Sequence, residues 1–125
     1  MVGALINSQP ETKSQGLAEK AKSLGIKFFL VSYTDLLGGT RAKLVPAAKI
    51  ASSSFASNLG LGPDAAEIAA IPDTSSLIQL PWEPTVGWVA SNVYFEGEPF
   101  PAAPRMILDR AIAQCEQMGY TYKAG

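Results

Sequence analysis

Cys115 is the only thiol in the chain, and its 125 residues contain no histidine. Disulfides, Cys/His zinc sites and every catalytic pair that needs imidazole as the base are therefore excluded. Cys115 lies on the apolar stripe of a helical pattern, so it reads as a buried, inert thiol rather than a nucleophile. Gly38-Gly39 lacks the Gly-Lys-Ser/Thr ending of a phosphate loop and is better explained as a turn. Metal-assisted phosphoryl transfer needs a cluster of acids and arginines around bridged phosphates, and no such constellation is visible. The residues present are expected neither to catalyse alone nor to bind a metal or cofactor.

Short periodic elements must carry these side chains. From Glu11, Leu17, Ala21 and Leu24 recur on one helical face, with Glu19, Lys20 and Lys22 on others, and Gly25 stops the run. Ile26 to Tyr33 is apolar and aromatic on both faces, which predicts a central strand. Asp35 to Gly39 supplies turn chemistry. Thr40 to Val45 then returns as a half-exposed strand, Ala42 and Leu44 on one face and Arg41 and Lys43 on the other, ended by Pro46. Arg41 and Lys43 read as a solvated face. Lys49 to Gly62 is rich in Ser, Ala, Asn and Gly and reads as a long irregular loop.

Further strands are expected at Leu77 to Leu80 and Val86 to Phe95, with Pro81 and Pro84 bracketing Trp82 in an extended bend. Trp82 and Trp88 read as packing residues, with a place at a subunit boundary as the alternative for either. Pro104 opens a second helix with Leu108, Ala111, Ile112 and Cys115 on its apolar stripe. Gly119 closes it, and Tyr120 to Lys123 forms a short final strand. The expected fold class is α+β, a mixed sheet packed on one or two helices. Residues 1–15 are expected as a loose segment and 16–125 as a single domain, without internal repeat or linker.

A hydrophobic share of 47% with 17% charged residues belongs to a folded protein. The formal charge of −1 excludes a dominant basic surface, so nucleic acid is not an expected partner. No apolar run approaches the ~20 residues needed to span a bilayer, Met1 to Ile6 is too short for a signal sequence, and a reducing cytoplasm is expected.

Several short motifs occur in a telling order: Tyr33 to Pro46, Phe55-Ala56-Ser57, Ile71-Pro72-Asp73, Pro81-Trp82, Glu98-Pro99-Phe100, Pro104-Arg105 and Gly119 to Gly125. Over roughly residues 16 to 125 this order resembles the amino-terminal β-grasp domain of the glutamine synthetase family. The wording of Leu80 to Pro84 and of Gly119 to Gly125 is most similar to its type III and γ-glutamylamide-synthesising branch. The resemblance implies a fragment ending before the catalytic domain of a ligase. That ligase would use ATP and Mg2+ or Mn2+ to join glutamate to ammonia or a primary amine. It also implies a ring homo-oligomer in which this domain closes one side of the neighbouring subunit's active site.

On the same resemblance Glu67, Ala56 and Ser57 belong to the amine site. Ala56 stands where many members carry an aspartate for the ammonium, which suggests an alkylamine in its place. Ala103 stands where the family tends to place an aspartate as helix cap, so that end is expected to be weaker by ~1 kcal/mol. Arg105 is expected in a structural role. The competing expectation is a stand-alone β-grasp module that binds a partner without catalysis.

Overall fold

The computed structural model describes residues 10–52, 55–57 and 68–123. The first helical pattern forms α1 (Pro10–Leu24), one residue ahead of the expected start. Leu17 and Ala21 are buried as the spacing predicts, whereas Leu24 is half exposed. Gly25, at φ 71°, turns the chain so that Ile26 N donates to Ala21 O at 2.9 Å. This closing bond joins the first residue beyond the left-handed glycine to the carbonyl three positions inside the helix end.

The strands are β1 (Phe28–Thr34), β2 (Thr40–Pro46), β3 (Phe55–Ser57), β4 (Ile68–Pro72), β5 (Ile78–Leu80), β6 (Glu83–Phe95) and β7 (Glu98–Pro99). They form one sheet in the order β2-β1-β6-β4-β3, with β5 and β7 also paired to β6. The β1/β6 pair is parallel and the others antiparallel, so the sheet is mixed. β1 is central, as its doubly apolar sequence predicts. Phe29, Val31 and Tyr33 point into the core with Val89 and Val93 of β6, and Leu17, Ala21 and Ile50 complete that core. Gly87 lets β6 pass close to it: a Cβ there would lie 3.0 Å from Ile26 Cδ1 and Leu77 Cδ1 and 3.1 Å from Phe29 Cε1, so those side chains would have to give by a few tenths of an ångström.

Four expectations need correction. In β2 the inward side chain is Val45, opposite Phe29, while Ala42 and Leu44 are exposed because nothing described covers that face beside the sheet's edge. Within Lys49 to Gly62 the chain is partly regular: a 3₁₀ helix spans Ala47–Ser52 and β3 follows. Ile50, fully buried, supplies the anchor that the polar composition around it hides. Trp82 does not pack; it is 79% exposed on the turn between β5 and β6, while Trp88 is half-buried.

Tyr120 to Lys123 is not a strand but exposed chain after the last helix, α2 (Pro104–Gln117). Gly119, at φ 83°, directs Tyr120 N back to Cys115 O at 2.9 Å, which ends α2 without bringing the chain beside another strand. No residue of α2 is buried; Leu108 and Ala111 are exposed and Ile112 and Cys115 only half covered. The architecture is α+β and β-grasp-like: a mixed sheet whose inner face packs on α1 and whose outer face is partly roofed by α2.

Candidate functional site

The β1–β2 turn is built around one carboxylate. Asp35 is 1% exposed and its Oδ1 accepts the amides of Leu37 at 3.0 Å and Gly39 at 2.7 Å. Arg41 Nε donates to Oδ2 at 2.9 Å. Arg41 is therefore ion-paired and not merely a solvated strand residue. Its hydrogen bond, followed by that of the Gly39 amide, holds the Asp35 carboxyl below the ordinary value of 3.8 against the opposing effect of burial. The turn amides that would cradle a phosphate are thus committed to a side chain of the chain itself, which favours the turn reading of Gly38-Gly39.

A cavity of about 310 Å³ lies where β1 and β6 part, beyond their last pair Ser32 and Ala90. Ser32, Thr34 and Thr40 line it with hydroxyls, Trp88 lines it with an indole, and Arg105 and Leu108 of α2 stand over it. Arg105 Nε donates to Asn92 Oδ1 at 2.9 Å, and its Nη2 pairs with Asp73 Oδ2. Asp73 caps the 3₁₀ turn Thr74–Ser76 by accepting from Ser75 N at 3.0 Å and from Ser75 Oγ at 2.6 Å. Partial burial pushes the Asp73 carboxyl up, but the Ser75 hydroxyl and amide and the Arg105 charge outweigh it and leave the group below its ordinary value. Arg105, the one charged residue on its lining, is paired with Asp73, and most of the remaining lining is apolar, so the cavity is uncharged and largely apolar.

The residues assigned by resemblance lie elsewhere. Ala56 and Ser57 are on β3, at one edge of the sheet, in register with Ala69 and Ile68 of β4. Glu67 lies outside the described residues. The expected weak cap is present: Ala103 is the N-cap of α2 and no side chain closes that end. The structural role expected of Arg105 takes a specific form, the bridge to Asp73 and Asn92. The sequence signal for it was only the adjacency of Pro104 and Arg105, and nothing marked the partner 32 positions earlier. Among the described residues no group of three or more His, Cys, Asp or Glu side chains could hold a metal ion. No helix described is long and apolar enough to cross a membrane.

No protein-family model matches the chain. It is 44% identical over 117 residues to a glutamine synthetase of Rhizobium leguminosarum bv. phaseoli, an alignment covering 87% of this chain and 27% of that protein. It is 26% identical over 110 residues to a glutamate–methylamine ligase of Methyloversatilis universalis, covering 80% of this chain and 25% of the relative. Among solved structures, the GmaS/ADP complex superposes with a TM-score of 0.72 at 50% identity, over 82% of this chain and 26% of that one. The chain thus spans about a quarter of the length of the relatives it matches. The motif order, the mixed sheet with its two helices and these likenesses agree: over most of its length the chain is similar to about a quarter of a glutamine synthetase and of GmaS.

Proposed function

We propose that this chain is the amino-terminal part of an ATP-dependent ligase joining glutamate to ammonia or a primary amine, acting in the cytoplasm as one wall of a neighbouring subunit's active site in a ring. The observation that carries this reading is the 50% identity, over 82% of the chain, to GmaS seen with ADP. A relative named for glutamate–methylamine ligation supports the amine side of it.

The described residues do not fit ATP or Mg2+ or Mn2+. The Leu37 and Gly39 amides are bound to Asp35, and no acidic cluster is present among the described residues. In this reading nucleotide and metal are held on other sequence, and no step through them is assigned to these residues. The contribution of this part is positional: β3, backed by β4, carries Ala56 and Ser57 at a sheet edge. In this reading Ala56, Ser57 and Glu67 belong to the amine site, and alanine in place of a carboxylate at 56 favours an amine that brings apolar surface over bare ammonium.

The test is an amine panel run with the polypeptide expressed from its intact reading frame, scored by phosphate release that depends on both glutamate and amine. Alkylamines should exceed ammonia in kcat/KM, and Ala56→Asp should shift the preference toward ammonia by about tenfold, the effect of one added charge partner worth ~1.4 kcal/mol. Absence of any release dependent on both substrates would leave the non-catalytic module as the reading.

A further inference from the structure

Helix α2 is fastened to the molecule at one end. Its N-cap Ala103 is 1% exposed, Ala103 N donates to Phe100 O at 3.1 Å, and Phe100 N donates to Val93 O of β6 at 2.9 Å. Met106 packs against the core. From the next turn onward the hold weakens: Ile107, Leu108 and Met118 are exposed, and no residue of the helix is buried. A helix with so little buried apolar area has little resistance to rotation about its anchored end.

Arg105 supplies that resistance. It reaches Asn92, which belongs to β6, and Asp73, which belongs to the corner after β4 and is itself fixed by Ser75. Two bonds from one planar guanidinium to partners on different elements fix direction as well as distance. Arg105 and Leu108 also stand over the cavity between β1 and β6, with the Trp88 indole on its wall.

We propose that Arg105 is a positioning residue: the Asp73–Arg105–Asn92 bridge is a latch that sets the angle of α2 over the cleft, and α2 swings about Ala103 when the latch opens. The buried Ala103 and the core-packed Met106 act as the pivot and stay in place, so opening does not require the sheet to unfold. The inference stands on the geometry of this chain and is independent of the ligase reading.

The experiment uses the whole chain with Trp82→Phe, a change at an exposed turn that leaves Trp88 as the single indole. Opening is read by Trp88 emission, by its quenching with acrylamide, and by amide exchange. In Arg105→Gln, Trp88 should shift to the red and quench more strongly. The amides of residues 108–117 should exchange about tenfold faster, the scale of a lost hydrogen bond to a charged group. The amides of β1 and β6 should keep their rates. Arg105→Lys, which can restore the pair with Asp73 but not the second bond to Asn92, should fall between. Asn92→Ala removes one bond and keeps the charge pair, so it tests the latch even where the glutamine variant fails to fold. Unchanged Trp88 emission and α2 exchange in folded variants would overturn the proposal. So would acceleration of β1, β6 and α2 together, which would make the bridge a general stabiliser rather than a latch.

Discussion

The inner and outer faces of the sheet are built on different principles. On the inner face Leu17, Phe29, Ile50 and Val89 have no solvent exposure, and side chains from a helix, a 3₁₀ turn and two strands interlock. On the outer face α2 buries none of its own residues and is placed by Arg105 and its two polar partners. The inner face is fixed by volume, which tolerates no vacancy, and the outer by direction, which two hydrogen bonds set and few apolar contacts enforce. The core is thus held by packing, whereas α2 joins it only through Ala103 and Met106 and is otherwise placed by polar bonds.

The contrast is sharpest for truncation. Phe29→Ala should cost about 3–5 kcal/mol, because a large buried ring leaves a cavity its neighbours cannot fill. Leu108→Ala on α2 should cost only about 0.5 kcal/mol, the scale of a surface substitution. Urea unfolding with a shared m-value measures both, and comparable losses would erase the distinction. A smaller effect has the opposite sign. Ser91 is 1% exposed on the core side of β6, and among the described residues its Oγ has no hydrogen-bond partner. Ser91→Ala removes an unsatisfied hydroxyl and should raise stability by about 1 kcal/mol, read as an increase in melting temperature. A decrease would mean that the hydroxyl has a partner or a use.

Acid should act most gently and on particular places. Asp35 and Asp73 are both held below the ordinary carboxylate value of 3.8, so each binds its proton more readily unfolded than folded. Their contribution is complete above pH ~4 and declines as pH falls through the still lower folded values. The β1–β2 turn and α2 should loosen in that range, the turn through Asp35 and the helix through Asp73, before the inner face responds. Amide exchange between pH 5 and pH 3 checks this order. Uniform loss across both faces would contradict it.

Much of the inner face was legible in the sequence because periodicity reports burial. Leu17 and Ala21 recur at a helical period on α1, and Ile26 to Tyr33 and Val86 to Phe95 are continuous apolar and aromatic runs, patterns that a covered surface imposes. β4 was missed as a strand because Ile68 to Pro72 is short, half alanine-like in size and ends in proline. Ile50 was missed because one apolar residue in a polar stretch has no period. Tyr120 to Lys123 has strand-like composition, but a strand also needs a neighbour, and the reversal after Gly119 provides none. Trp82 shows the converse error, since size and hydrophobicity say nothing of where a turn points.

The candidate site was less readable for a similar reason. Ala56, Ser57 and Glu67 came from resemblance rather than from spacing, and Ala103 as an uncapped helix start was recovered the same way. Asp73 and Arg105 meet only because β4 and β6 lie side by side, a relation no local pattern records.

The parallel pairing of β1 with β6 has a consequence for how the molecule comes into being. Leu30 meets Trp88 and Val31 meets Val89, so the second strand of the chain's own centre is still unsynthesised when the α1–β1–β2 part has left the ribosome. Until β6 emerges, one flank of β1 offers open amides and Phe29 lacks its register partner Gly87, which makes the nascent hairpin slow to settle and open to wrong partners. On the other side of that hairpin, β2 carries Arg41 and Lys43 along its outer rim, a placement of charge that discourages a stray strand from adding there during the wait.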